Sequence, residues 1–353
     1  AVTPGVMPDS KDRIMTRLRD TKNAAPIKEN LTIDGELFRK QVRTPQLDPG
    51  AADLADQSVS KILDQFVGTC RLLTDHEIVN PFQKVSEFGL MIDSKGINGS
   101  ASAGWDLDLT FGKHSRRFYL EETADGFVMS PALKDMITTA EIALKQGTFV
   151  EWFATMHLKD ELRLESKCKD GKVRYFYVLS FVQFCLMKKY FGDFINQFRS
   201  GHGLLGRHTV GCDPVMCFDD WAQSMEHNGH WPVVAGDVSG WDTSISGFHL
   251  EIIRRIIEDY YASESIEEDR LVRKMLLDGI AWTPTLLGKS MLVVSGLKSG
   301  LFATTEFNSL MHDWIVLYSL HKMAIPTSIP IEEVHSTPFY TNGDDNLILA
   351  RLA

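Results

Sequence analysis

Two acidic clusters in this chain have the residue types and spacing that phosphoryl chemistry requires. Asp237 and Asp242 stand in GDVSGWD, at the end of an apolar run that begins WPVV. Asp344 and Asp345 stand together in YTNGDDN, between TPFYT and NLILA. The first run predicts a buried strand ending at Asp237. The second predicts a strand–turn–strand hairpin with the acidic pair at its tip. If those strands are neighbours, Asp237 and Asp344 face one another, and facing carboxylates repel unless cations sit between them. Hard oxygen ligands suit Mg2+ or Mn2+. Two such ions about 4 Å apart clamp an in-line phosphoryl transfer, one activating the attacking hydroxyl and one stabilising the leaving oxygen. Taken singly, each cluster has a plainer explanation. Gly-Asp-Asp is an ordinary turn, and Asp-x4-Asp is frequent where Asp caps a helix. The joint pattern is what points to catalysis.

Two further segments belong with them. In SGLFATTEFNS (299–309), Ser299-Gly300 is followed by Thr304 and then Asn308 at four-residue steps, so Thr304 and Asn308 share one helix face. That face is either an incidental polar stripe or a surface aimed at a sugar, with a small Ser-Gly loop beside it. An earlier Ser295-Gly296 competes but fails on spacing, because Gly300 and Thr304 would then replace the Thr and Asn. Upstream, KDELRLESKCKDGKVR carries Lys159, Arg163, Lys167, Lys169, Lys172 and Arg174 among alternating acids. It reads as a solvated charged hairpin around Asp170-Gly171, or as a cationic strip that holds a triphosphate.

The elements that must position these residues follow from periodicity. Apolar residues Leu54, Val59, Ile62, Leu63 and Phe66 predict helix within 51–95, and 131–145 predicts another. Residues 96–113, rich in Gly, Ser and Ala, predict a loop. Ile245, Phe248, Ile252, Ile253, Ile256, Ile257 and Tyr260 predict a helix after the Asp237 strand. Residues 283–294 form two short apolar runs about Gly288-Lys289, a hairpin signal, and 302–322 predict a helix with Phe307, Leu310, Met311, Trp314, Leu317 and Tyr318 on one stripe. Residues 1–50, with five prolines, predict a segment wrapping other elements with little regular structure. Strands alternating with helices, plus hairpins, indicate an α/β or α+β core with an antiparallel component.

Composition sets the outer bounds. The 353 residues are 44% hydrophobic and 24% charged, ordinary for a globular enzyme and unlike a disordered or disulfide-scaffold chain. No apolar run approaches the ~18 residues of a membrane span. The longest, Phe176 to Met187, is interrupted by Ser180 and Gln183 and predicts a core segment. Cys70, Cys168, Cys185, Cys212 and Cys217 include no CxxC pair, so free thiols in a reducing compartment are expected. A net charge of −10 argues against a uniformly basic nucleic-acid binder and leaves room for a local basic channel. The chain starts with Ala1, which fits either release from a longer precursor or a sequence cut at that point.

In their order, these segments resemble the RNA-dependent RNA polymerases of positive-strand RNA viruses, the picornavirus-like group above all. GDVSGWDTS resembles that family's motif A, SGLFATTEFNS motif B, YTNGDDN motif C, KDELR…GKVR motif F, and SASAGW (100–105) motif G, although Asp106 stands where the family usually has a proline. The resemblance implies an α+β right-hand polymerase fold with fingers, and a palm built on an antiparallel sheet. Its divisions would be fingers over 1–185, palm over 186–272, a return to the fingers over 273–291, and palm again over 292–353. It implies that Asp237, Asp344 and the carbonyl of Val238 hold Mg2+ (or Mn2+), with Asp345 assisting. Asp242, Asn308 and Thr304 would select ribose through its 2′-hydroxyl. Lys159, Lys167 and Arg174 would bind the triphosphate. Ser102, Gly104, Arg163, Lys172, Ser299 and Gly300 would contact template or product RNA. The implied partners are RNA template, nascent RNA, nucleoside triphosphates and other viral replication proteins. The implied setting is host-cell cytoplasm, in membrane-associated replication complexes reached through those partners, since the sequence contains no anchor of its own.

In that family a further palm segment and a thumb follow motif C, including a lysine that acts as general acid. The chain stops at Ala353, so the resemblance implies a C-terminally truncated polymerase, thumb absent. Two other functions compete. A reverse transcriptase shares the palm, but Asp242 offers a polar partner to a 2′-hydroxyl where a DNA-making enzyme would place an apolar block. A non-catalytic fragment that binds RNA or viral partners is the reading from a different class.

Overall fold

The computed structural model describes residues 47–63, 71–85, 91–112, 114–159, 175–200, 207–227, 232–238, 241–262, 266–287, 290–293 and 297–349. The proline-rich segment 1–46 therefore lies outside the described residues. So do Arg163, Lys167, Lys169, Lys172 and Arg174, the Asp170-Gly171 turn, and the competing Ser295-Gly296.

Helix α1 (Pro49–Leu63) opens with proline at its start, where the missing N–H costs nothing. Helix α1 accounts for 51–63 of the predicted helix over 51–95, and Phe66 of the predicted stripe lies outside the described residues. Helix α1 is followed by a one-turn α2 (Asp75–Val79), closed by a Thr74/Glu77 capping box, and then by an antiparallel hairpin of β1 (Phe82–Val85) and β2 (Met91–Ser94). Phe82, Val85 and Phe88 recur every three residues, a helix-like spacing, whereas the strand period shows only in the alternating burial of β1 and β2. The predicted loop over 96–113 likewise contains a short helix, α3 (Trp105–Phe111). Beyond it come the hairpin β3 (Leu120–Thr123) and β4 (Gly126–Met129), and α4 (Pro131–Lys145), which coincides with the predicted helix. Ser130 caps α4 by accepting the Leu133 N–H.

Strands β5 (Ala154–Leu158) and β6 (Tyr175–Val178) pair antiparallel on either side of the basic segment, as a hairpin requires. Helix α5 (Phe181–Ser200) then runs through the middle of the molecule. Ser180 ends the apolar run between strand and helix, and its carbonyl accepts the Phe184 N–H. Helix α5 is buried on nearly every side, so its polar side chains need internal partners. Lys188 donates to the carbonyls of Ile78 (2.8 Å) and Lys95 (2.7 Å), and burial pulls its pKa down to about 8. Asp193 accepts from Lys84 at 3.1 Å and from the Tyr260 hydroxyl at 3.2 Å. Glu141 takes Lys189 and Tyr190, at 2.7 and 2.6 Å.

Helix α6 (Pro214–His227) starts beside a disulfide between Cys212 and Cys217. This corrects the expectation of free thiols. The first turn of α6, where the Asp213 carbonyl accepts the Cys217 N–H at 3.1 Å, holds the two Cα atoms 6.6 Å apart, within bridging range. Cys185 is a buried free thiol. Strand β7 (Val233–Asp237) leads to the one-turn α7 (Trp241–Ser244) and to α8 (Gly247–Tyr260), which buries the predicted isoleucine stripe. Helix α9 (Glu267–Trp282) precedes the hairpin β8 (Pro284–Leu287) and β9 (Ser290–Val293). β8 pairs in parallel with β5, giving a four-stranded sheet in the order β6-β5-β8-β9.

Helix α10 (Thr304–Thr327) is the second buried helix, followed by α11 (Ile331–His335), β10 (Phe339–Asn342) and β11 (Asp345–Leu349). β10, β11 and β7 form an antiparallel sheet in that order. β7 was expected to be buried, yet Val233 and Val234 are 46% and 51% exposed. β7 lies at the edge of this sheet, with β11 its single strand partner among the described residues. The core joins α5 to α10 through Phe191 and Phe307, edge to face at 5.8 Å, and ties α1 to α10 through the Trp314 Nε1–Asp56 hydrogen bond of 2.7 Å. Phe307 is fully buried. Phe307→Ala is expected to cost about 3–5 kcal/mol, measured as a lower urea midpoint with little change in slope.

Candidate active site

The carboxylates are brought together by strand register. Asp237 ends β7 and pairs directly across from Asp345, while Gly236 pairs with Asn346. Asp344 occupies the turn before β11, and its carbonyl accepts the Val238 N–H at 3.2 Å. The two acidic clusters are therefore neighbours, as expected, and the direct cross-strand partner of Asp237 is Asp345. The turn is tight: Asn342 pairs with Asp345, so Gly343 and Asp344 are its two loop residues. Gly343 has φ +64°, the left-handed region that favours glycine. Asp237 and Asp345 are exposed and Asp344 is half-buried.

Paired residues of an antiparallel sheet project from the same face, and like charges so placed destabilise the pairing. A divalent cation between them removes that repulsion. Among the described residues no group of three or more His, Cys, Asp or Glu could hold a metal by itself. Mg2+ binds through one or two carboxylates and completes its shell with water and substrate phosphate oxygens. The donor set here, carboxylates with main-chain carbonyls nearby, is of the hard-oxygen kind. The Val238 carbonyl also accepts the Trp241 N–H at 3.2 Å, leaving one lone pair for another partner. Asp242 follows Trp241 within α7.

The other predicted segments are joined by hydrogen bonds to β6 and to the start of α5. The Ala103 carbonyl accepts the Phe181 N–H at 2.8 Å, which places SASAGW against the start of α5. Gly104 is buried at φ +105°, and a Cβ there would meet the Leu179 carbonyl at 2.8 Å. Ser102 is exposed, and its Oγ accepts the Gly104 N–H at 3.3 Å. Asp106, in the position of the family's proline, is half-buried, and desolvation pushes its carboxyl pKa up. At the next step, the Ser299 carbonyl accepts the Tyr177 N–H at 2.7 Å, docking the Ser-Gly loop on β6. Gly300, at φ +112°, is packed so closely that a Cβ would stand 2.2 Å from the Tyr177 oxygen. Lys159 is exposed just past β5, the strand that pairs with β6.

Helix α10 supplies the remaining links. Thr304 and Asn308 lie one turn apart at its start, and Asn308 is buried. The Thr304 hydroxyl donates to the Leu301 carbonyl at 2.9 Å, so it offers an incoming group only its lone pairs. Three residues that spacing alone did not single out hold the acidic hairpin from behind. Ser309 Oγ accepts the Gly343 N–H at 2.8 Å, the Thr341 hydroxyl donates to Asp313, and Arg207 donates to the Thr337 carbonyl at 2.8 Å while stacking on Phe339. Asp313 and His312 interrupt the apolar stripe of α10, and polar residues inside such a stripe were the available signal. Burial raises the Asp313 carboxyl to about 7, against the opposing effects of Thr341 and Arg207.

A family model described as viral RNA-dependent RNA polymerase matches residues 61–351. The RNA1 polyprotein of tomato torrado virus is 27% identical over 270 residues, covering 72% of this chain and 12% of that polyprotein. The genome polyprotein of poliovirus type 1 (strain Sabin) is 24% identical over 300 residues, covering 84% and 12%. In the solved structures, the Sicinivirus 3Dpol RNA-dependent RNA polymerase superposes with a TM-score of 0.66 at 22% identity, over 87% of this chain and 58% of that one. The chain thus spans a little over half of that solved polymerase and a small part of either polyprotein.

Two outcomes follow from this geometry. Gly300→Ala should destabilise the fold by about 2 kcal/mol or more, through strain and the clash with Tyr177, read from urea denaturation. Asp313 has a folded pKa of about 7, above the ~3.9 of an unfolded aspartate. Its contribution to stability is complete below about pH 4 and is lost as pH rises through about 7. Thermal midpoints of the wild type should therefore fall relative to Asp313→Asn between about pH 4 and pH 7; parallel curves would contradict the assignment.

Proposed function

The chain belongs to the viral RNA-dependent RNA polymerase family, and from that premise we propose that it carries the catalytic centre for template-directed RNA synthesis from nucleoside triphosphates. The observation that carries this reading is the register that sets Asp237 opposite Asp345, with Asp344 bonded to Val238. In this proposal Asp237 and Asp344 hold Mg2+, or Mn2+ in its place, with the Val238 carbonyl as a further ligand and Asp345 assisting. Bound there, the ions would lower the pKa of the attacking 3′-hydroxyl and neutralise charge on the leaving pyrophosphate.

The chain's own residues do the rest. Asp242, Asn308 and Thr304 are assigned to the ribose, where a 2′-hydroxyl satisfies polar groups that a deoxyribose would leave unpaired. The docking of Ser299-Gly300 on β6 supports a template-adjusting role for that loop, since β6 leads directly from the basic segment. Lys159, with Lys167 and Arg174, is assigned to the triphosphate, and Arg163, Lys172, Ser102 and Gly104 to RNA backbone. The four-stranded sheet β6-β5-β8-β9 supports assigning 1–185 and 273–291 to fingers. The sheet β10-β11-β7 supports assigning 186–272 and 292–353 to the palm. We further assign the work to viral genome replication in host cytoplasm. No helix among the described residues is long and apolar enough to cross a membrane. Attachment to replication membranes is assigned to partner proteins.

Primer extension on an RNA template with the four nucleoside triphosphates and Mg2+ tests the reading. Asp344→Asn should abolish incorporation while keeping the thermal midpoint; undiminished incorporation would remove the metal assignment. RNA binding without incorporation, in this chain and in one extended at its C-terminus, would favour a non-catalytic binding role. Asp242→Ala should bring incorporation of deoxynucleotides closer to that of ribonucleotides. An unchanged preference would release Asp242 from sugar reading.

A further inference from the structure

The hairpin carrying Asp344 and Asp345 is gripped by one side chain to which no role has been assigned. His312 is buried on α10, one turn beyond Asn308. Its Nδ1 lies 2.9 Å from the Gly343 carbonyl oxygen. A carbonyl only accepts, so Nδ1 must carry the proton. Nε2 of the neutral ring then has a lone pair, and it accepts from Asn346 Nδ2 at 3.1 Å. Burial lowers the His312 pKa, which favours the neutral ring that both bonds require. The indole of Trp241 covers the imidazole, with centroids 4.7 Å apart and planes at 30°.

Asn346 reaches His312 because its cross-strand partner is glycine. The amide of Asn346 lies over Gly236, where a Cβ would stand 2.9 Å from Oδ1 and 3.0 Å from Nδ2. Any side chain at 236 would displace the amide. One imidazole therefore touches the residue before Asp344, the residue after Asp345, and the ring that follows the Asp237 strand.

We propose that His312 is a positioning residue that, with Asn346 and the bare backbone at Gly236, fixes the acidic hairpin against the strand ending in Asp237 and so sets the separation of the carboxylates. This rests on the polymerase reading of that site. His312 touches neither a metal nor a nucleotide in this role. Its loss should appear in the rate of the chemical step and hardly at all in nucleotide affinity.

The test compares His312→Ala, His312→Gln, Gly236→Ala and the His312→Ala/Gly236→Ala double variant in primer extension. Mn2+ binding is followed beside it by electron paramagnetic resonance. His312→Ala should lower kcat on the order of 10- to 100-fold with KM for the nucleotide within about twofold, the penalty of a small misplacement of reacting groups. His312→Gln, which can donate to Gly343 and accept from Asn346, should recover most of that loss. Gly236→Ala should lower kcat as well, and the double variant should lose less than the product of the single effects, because both changes break the same contact. An unchanged kcat in His312→Ala would overturn the proposal, as would equal losses in His312→Ala and His312→Gln. If the wild type itself incorporates nothing, the polymerase reading fails for this chain, and the Mn2+ affinities decide the positioning claim separately. Affinity weakened about tenfold in His312→Ala and restored in His312→Gln would support it; equal affinities would overturn it.

Discussion

Everything proposed for this site depends on the antiparallel pairing of β7 with β11. That ladder places Asp237 opposite Asp345 and binds Val238 to the Asp344 carbonyl. It is an unfavourable arrangement for a bare protein. Like charges directly across a ladder work against pairing by roughly 0.2–1 kcal/mol, and both carboxylates are solvent-exposed, which keeps the cost at the lower end. The sheet tolerates it because the rest of the hairpin is held elsewhere. Gly343 relieves the turn, and Ser309, Asp313 and His312 fasten it to α10. A cation that bridges the carboxylates would turn the unfavourable contact into a binding site.

The fastening is polar, and it is buried. Helix α10 presents Ser309, His312 and Asp313 to the back of the sheet, in a stripe that is otherwise apolar. Helix α5 does the same on its side, with Lys188 and Asp193 satisfied by partners from several elements. Such networks contribute modestly to net stability and strongly to uniqueness, because each partner has one geometry in which it is satisfied. That is the property a site for in-line transfer needs, since reacting groups must be held to a fraction of an ångström.

Much of this was legible in the residues. The strand into Asp237, the hairpin about Gly343 and the helix that carries Thr304 and Asn308 were all readable from period and turn chemistry, because each has a single strong local signal. The errors came where tertiary packing decides. Residues 82–85 and 91–94 pair as antiparallel strands, although Phe82, Val85 and Phe88 are spaced as on a helix. A helix of seven residues from Trp105 to Phe111 hides in a segment rich in small residues. β7 is apolar yet exposed at a sheet edge, which no local pattern reveals. Cys212 and Cys217 pair across the first turn of α6, which their spacing does not announce. In the site, types and order named the acidic residues, whereas register chose the partner: Asp345, not Asp344, stands across from Asp237. The grip of His312 on Gly343 and Asn346 joins residues more than 30 positions apart and needed the fold to be seen.

The most direct test of the account is the stability of the wild type and of Asp237→Asn, measured by chemical denaturation with chelator and then with Mg2+. In chelator, the variant should be at least as stable as the wild type, since it removes one of two opposed charges. With Mg2+ the order should reverse, because the wild type gains binding free energy that the variant has lost. A variant that is clearly less stable in chelator, or that gains as much from Mg2+ as the wild type does, would contradict the claim that this register builds a cation site.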